Sequence, residues 1–176
     1  MDIYINGEIT DKTVIYVAEV LRKEYVPGVD INVYIDSFGG YIDSADMIAE
    51  MLVECRNNSS YIICRNTGDV ASAATIIWLT GNDRIFDFEK GEFLIHMPYV
   101  EVAGTSDELI EVAISLTETE QELAELYSVY SGKPIDEIIE RMKKEVPMNW
   151  REMFEYKLAT EIEIDELPDD INEPVE

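Results

Sequence analysis

The chain's 176 residues and 20.1 kDa suit one domain with a full-sized core better than two. Hydrophobic residues (47%) and charged residues (29%) stand at ordinary globular values, but 38 acids against 13 bases leave a net charge of −25, which argues against nucleic acid or an anionic membrane as partner. No apolar run approaches the ~20 residues that span a bilayer, the first ten residues lack the basic and apolar stretches of a signal peptide, and Cys55 and Cys64 alone make neither a disulfide framework nor a four-thiolate metal site. A cytoplasmic protein without a metal or other cofactor is the expectation.

In chain order, residues 2–5 alternate as a short strand ending at an Asn6-Gly7 turn. Residues 11–25 have helical periodicity, with Thr10 or Asp11 placed to cap the first free N–H groups and Val14, Val17, Val20 and Leu21 as the buried stripe. Pro27-Gly28 ends that helix, and the apolar run 31–35 is the next strand. Asp36-Ser37-Phe38-Gly39-Gly40 reads as a turn into a second helix at about 42–55, followed by a polar loop at 56–60 and a strand at 61–64. Thr67-Gly68-Asp69 then leads into a helix at 71–79 of small and then large apolar residues, which predicts burial nearly all round. Strands follow at 84–88 and 92–95, a long amphipathic helix at 107–130, and shorter helices at 135–144 and about 149–158. This alternation predicts an α/β fold, with a single domain over residues 1–162. From residue 161 onward the chain has eight acids, two prolines and no Lys or Arg, so residues 163–176 are expected to form a disordered acidic tail.

Three segments carry chemistry. His96, the only histidine, ends an apolar strand just before Pro98. A lone histidine there is more often structural, yet imidazole-dependent proton transfer within one subunit has no other residue to use. Ser72, in Gly68-Asp69-Val70-Ala71-Ser72-Ala73-Ala74, stands at the mouth of the buried helix, either as a tolerated small polar residue or as a nucleophile whose oxyanion meets backbone N–H groups. The pattern is not Gly-x-Ser-x-Gly, so the α/β-hydrolase elbow does not apply. Ser37-Phe38-Gly39-Gly40 is followed by no Lys-Ser or Lys-Thr pair and holds no Gly-x-Gly-x-x-Gly, which excludes a nucleotide loop and leaves backbone N–H groups for a ligand oxygen.

Taken in order, these segments resemble the proteolytic subunit of the Clp protease, a serine peptidase of the crotonase-like fold. Ile35-Asp36-Ser37-Phe38-Gly39-Gly40 is similar to the family's Ile-Asn-Ser-Pro-Gly-Gly, and Gly68-Asp69-Val70-Ala71-Ser72-Ala73 to its Gly-x-Ala-Ala-Ser-Met. Leu94-Ile95-His96-Met97-Pro98 is similar to its Met-Ile-His-Gln-Pro, and Ser131-Gly132-Lys133 to its Thr-Gly-Gln or Thr-Gly-Lys. The resemblance covers roughly residues 3–162, and the short acidic chain also resembles phage-encoded members. It implies repeated β-β-α units with a protruding handle helix at about 99–131.

The resemblance further implies that Ser72 is the nucleophile, His96 the general base, and the backbone N–H groups of Gly40 and Ala73 the oxyanion donors. The third triad member is an aspartate in the family; here its position, 49 residues after His96, falls on Glu145. Tyr41, Ile42, Met97, Pro98 and Tyr99 become the walls that hold an extended polypeptide substrate. A homo-oligomer is implied, as a heptameric ring or stacked rings, with a Clp-type ATPase as partner. The family carries a pore loop and a helix ahead of its first core strand, whereas this sequence starts almost at that strand. The runner-up readings are a catalytically silent assembly subunit and a CoA-thioester enzyme of the wider crotonase-like fold. The latter would share the glycine turns without needing Ser72 and His96 in this register.

Overall fold

A computed structural model describes residues 1–164. In chain order they form β1 (Asp2–Ile9), α1 (Asp11–Glu24), β2 (Ile31–Gly40), α2 (Ile42–Asn57), β3 (Ile62–Ala71), α3 (Ala74–Trp78), β4 (Asp83–Asp87), β5 (Phe93–Leu94), α4 (Ser106–Ser131), α5 (Ile135–Met142), α6 (Trp150–Glu155) and β6 (Glu161–Glu163). The sheet runs β1-β2-β3-β4-β6, with β5 paired to β3, and every strand pairing is parallel. Parallel neighbours need crossovers, and α1, α2 and α3 supply them between β1, β2, β3 and β4.

One face of the sheet is dry. Ile3, Ile5 and Ile9, then Ile31, Val33 and Ile35, then Ile62, Cys64 and Val70 alternate inward and join Val17, Ala45, Ile48 and Leu52 of the helices in one core. The opposite face stays open, where Tyr4 stacks on Tyr34 with ring centroids 5.1 Å apart.

Strands β1, β2 and β3 are longer than their apolar runs because polar, glycine-bearing segments continue them. Asn6-Gly7 is a bulge rather than a turn: Gly7 takes φ +69°, and pairing resumes at Glu8 with Gly39 and Ile9 with Gly40. Between β2 and β3 the register slips once more, from Ile35–Asn66 to Ser37–Val70. Ser37 fastens the first slip, donating to the Gly7 carbonyl (2.5 Å) and accepting from the Gly39 N–H (3.1 Å). Asn66 fastens the second, donating to the carbonyls of Gly68 and Asp87 and accepting from the Asp87 N–H. Past these slips β2 stays paired with β1 at Gly39 and Gly40, and the end of β3 pairs with β5.

α3 is short and buried throughout; its Trp78 donates to the Leu158 carbonyl (2.7 Å) and meets Phe86 and Phe93 edge-on. α4 starts at a Thr105–Glu108 capping box and stops at Gly132, which takes φ +74°. Its first turns are exposed, while Leu123, Ala124 and Tyr127 further along are buried, so the helix protrudes like a handle. β6 lacks an apolar run yet pairs with β4, which puts Glu163 in the sheet rather than in the tail that the composition suggests. From residue 165 on, the expected disorder falls outside the described residues. Among the described residues no helix is long and apolar enough to cross a membrane.

Candidate active site

Ser72 occupies the corner where β3 ends and α3 is about to begin. Its N–H donates to Leu94 (2.9 Å), and its carbonyl accepts from the Thr75 N–H (3.0 Å) and hydroxyl (2.6 Å), so the backbone is held from both sides. The residue sits at φ +56°, a conformation costly for anything but glycine, and its side chain is left half-exposed at the bend. Gly39 makes room for it: a Cβ there would lie 2.5 Å from the Ser72 Cβ and 3.0 Å from its Oγ.

His96 follows the buried Ile95 at the end of the β5 segment, with its ring centroid 6.0 Å from that of Tyr99. Ser72 and His96 line the same two cavities, one of ≈ 20 Å³ and one of ≈ 600 Å³. Neither the Ser72 hydroxyl nor the His96 ring makes a hydrogen bond among the described residues.

The smaller cavity is an apolar recess walled by Ile42, Ala73, Ile76, Pro98, Leu123 and Tyr127, with room for about one water molecule. Its Tyr127 hydroxyl lies 2.6 Å from Thr75 Oγ1, and burial pushes the phenol up to about 12, so this wall is neutral and fixed. The larger cleft runs past Gly40, Tyr41, Pro98 and Tyr99 to Leu116 and Thr119 of α4. Five carboxylates line it, those of Glu8, Asp43, Asp46, Glu101 and Glu122, with no Lys or Arg. Partial desolvation, then the charges of Asp43, Glu50 and Glu122, raise the Asp46 carboxyl above the usual range.

Of the five wall residues expected from sequence, Tyr41, Ile42, Pro98 and Tyr99 line the cleft, whereas Met97 turns away and packs on the core. The α4 wall was missed. Its signal was the spacing Leu116, Thr119, Leu123 and Tyr127, which puts all four on one helix face.

For the oxyanion, the Ala73 N–H makes no hydrogen bond among the described residues and stands next to Ser72. Gly40, at φ +149°, packs so closely on β1 that a Cβ would collide with the Ile9 carbonyl oxygen. Glu145 lies elsewhere. It is exposed at φ +51° in the turn after α5, lines neither cavity, and makes no hydrogen bond with His96 among the described residues. The chain around it is nevertheless tied to the strand that carries the histidine. Met148 N–H donates to the Phe93 carbonyl (2.7 Å) in an antiparallel bridge, and three residues onward on one side is His96, three back on the other Glu145.

The family model described as Clp protease matches residues 1–166. The chain is 27% identical to an ATP-dependent Clp protease proteolytic subunit of Paracoccus denitrificans, over 94% of this chain and 83% of that protein. It is 26% identical to the corresponding subunit 3 of Rhizobium johnstonii, over 76% and 68%. The fold superimposes on a ClpP1 mutant from Listeria monocytogenes with a TM-score of 0.77 at 23% identity, covering 93% of this chain and 92% of that one.

Proposed function

The chain belongs to the Clp protease family, and from that premise we propose that it is a serine endopeptidase acting on unfolded or small polypeptides inside a homo-oligomeric ring. The observation that carries this reading is Ser72, held at φ +56° against Gly39, where a Cβ would strike its side chain, in the same cleft as the one histidine.

His96 takes the Ser72 proton as Oγ attacks the peptide carbonyl, and the N–H groups of Ala73 and Gly40 receive the oxyanion. His96 then gives its proton to the leaving amine, and water repeats the sequence on the acyl-enzyme. Once the 143–147 turn brings it within reach, Glu145 orients the imidazole. The larger cleft along Tyr41 and Pro98–Tyr99 takes the extended polypeptide. An unbonded serine and histidine fit a resting site, because such hydrogen bonds often tighten only around substrate. The ring, a Clp-type ATPase partner and a cytoplasmic setting are part of the same proposal.

The test is labelling by a fluorophosphonate with the site read by mass spectrometry. Modification should fall on Ser72 and be lost in both Ser72→Ala and His96→Ala. In Glu145→Gln its rate should drop by a factor on the order of 10⁴, as when a triad acid is neutralised. No labelling at low or high salt would favour the silent assembly subunit instead.

A further inference from the structure

Arg141, in the last turn of α5, is 1% exposed. Its Nη2 donates to the Val146 carbonyl (3.0 Å) and to Glu152 Oε2 (3.4 Å), and its Nε lies 3.2 Å from Glu152 Oε1. Glu152 in turn closes the α6 capping box, accepting from the Asn149 N–H while its own N–H donates to Asn149 Oδ1. One guanidinium therefore ties together α5, the turn 143–147 and α6.

The start of that turn is held by the Lys143, Lys144 and Glu145 N–H groups, which donate to the carbonyls of Ile139, Arg141 and Met142, and Lys144 Nζ lies 3.8 Å from Glu152 Oε1; past Glu145 the guanidinium takes over. The turn's five residues are all exposed, and Glu145 takes a left-handed conformation that disfavours any residue with a Cβ. The Arg141–Val146 bond grips the carbonyl next to Glu145, and the Met148–Phe93 bridge anchors the far end beside the His96 strand. Stability alone does not account for the arrangement. A buried ion pair is often no better than an apolar replacement, and here Nη1 is buried without a hydrogen-bond partner among the described residues. Geometry does account for it: only arginine's planar fork reaches a backbone carbonyl and a carboxylate on separate segments at once.

We propose that Arg141 is a positioning residue, whose clamp on Val146 and Glu152 aims Glu145 at His96. This rests on the reading of Glu145 as the triad acid. Arg141 acts through the turn and touches no substrate.

The test compares the fluorophosphonate labelling rate of Ser72 in the full-length wild type, Arg141→Lys, Glu152→Gln, Glu145→Gln and the double variants of the first two with the third. Glutamine still satisfies a capping box, so Glu152→Gln weakens the clamp without removing the cap and carries the comparison if Arg141→Lys does not fold. Each clamp variant should slow labelling about tenfold or more, and neither should slow it further in the Glu145→Gln background. Wild-type rates in the folded clamp variants would overturn the proposal. So would an equal slowing in both backgrounds, since that marks a general structural role. An unchanged rate in Glu145→Gln itself would sink the triad-acid reading and this proposal with it, a result distinct from the other two.

Discussion

Two glycines separate what the backbone needs from what the site needs. Gly7 and Gly39 both take positive φ, +69° and +105°. A Cβ at Gly7 meets nothing within 4 Å, whereas one at Gly39 strikes the Ser72 side chain. Gly7→Ala should therefore cost only backbone strain, about 1–2 kcal/mol by thermal unfolding, and leave Ser72 labelling intact. Gly39→Ala should cost about 1–3 kcal/mol for its backbone and abolish labelling as well, because Ser72 has to move. A Gly39→Ala protein that labels at the wild-type rate would show that the Ser72 rotamer is not set by this contact. In the sequence the pair Gly39-Gly40 stood out as a place for a ligand oxygen. Its contact with Ser72, thirty-three residues away, was invisible because nothing local encodes it.

At the scale of elements, the cleft has a sign. Its walls come from β1, the start of α2, the segment from His96 onward and the face of α4, and the carboxylates they contribute are not balanced by any Lys or Arg lining it. Such a field draws cations in and raises their local concentration, by about tenfold or more at low ionic strength. Matched fluorogenic peptides that share an apolar residue before the scissile bond and differ in Lys or Glu flanks should show higher kcat/KM for the Lys peptide, with the gap closing as salt rises. Equal values at low salt would mean the carboxylates are screened from the substrate. Asp46 also carries a stability consequence. Its folded pKa is raised, so its contribution is fully present below the unfolded value near 3.8 and lost as pH rises through the folded value. Asp46→Asn should therefore raise the melting temperature at neutral pH and leave it unchanged at low pH. No gain at neutral pH would mean that solvent screens the carboxylate in the folded chain.

These elements were unevenly legible. The apolar halves of β1, β2 and β3 and the periodic helices α1, α2 and α4 are local patterns, and they read correctly from the chain. The polar extension at Asp36–Gly40 reads as a turn and Thr67–Asp69 as the lead into a helix, because their extended form is fixed by bulges and by partners on other strands. β6 was missed for the same reason: Glu161-Ile162-Glu163 has no buried run, and pairing with Ile85–Asp87 makes it a strand. The site divides similarly. Ser72, His96 and the wall at Tyr41 and Ile42 rest on motifs in order, while the α4 wall depends on how a distant helix packs.

For the whole molecule the dominant quantity is charge. Each chain carries −25, so seven in a ring would carry −175 before any counterion binds. Against that repulsion stands exposed apolar surface on and before the handle, including Tyr99, Val100, Val102, Ile110 and Ile114, which is the kind of surface that association buries. The balance makes assembly depend on salt. Screening shortens the reach of each charge to about 10 Å at 0.1 M, so larger particles should form as ionic strength rises, measured by sedimentation velocity from low to moderate salt. The choice of salt separates the two contributions. If relief of repulsion dominates, chloride and sulfate should act alike at equal ionic strength; if burial of the apolar surface dominates, sulfate should drive assembly further. Particles that stay the same size or shrink as salt rises would rule out repulsion as the limit and leave the contact geometry of the handle to set the assembly.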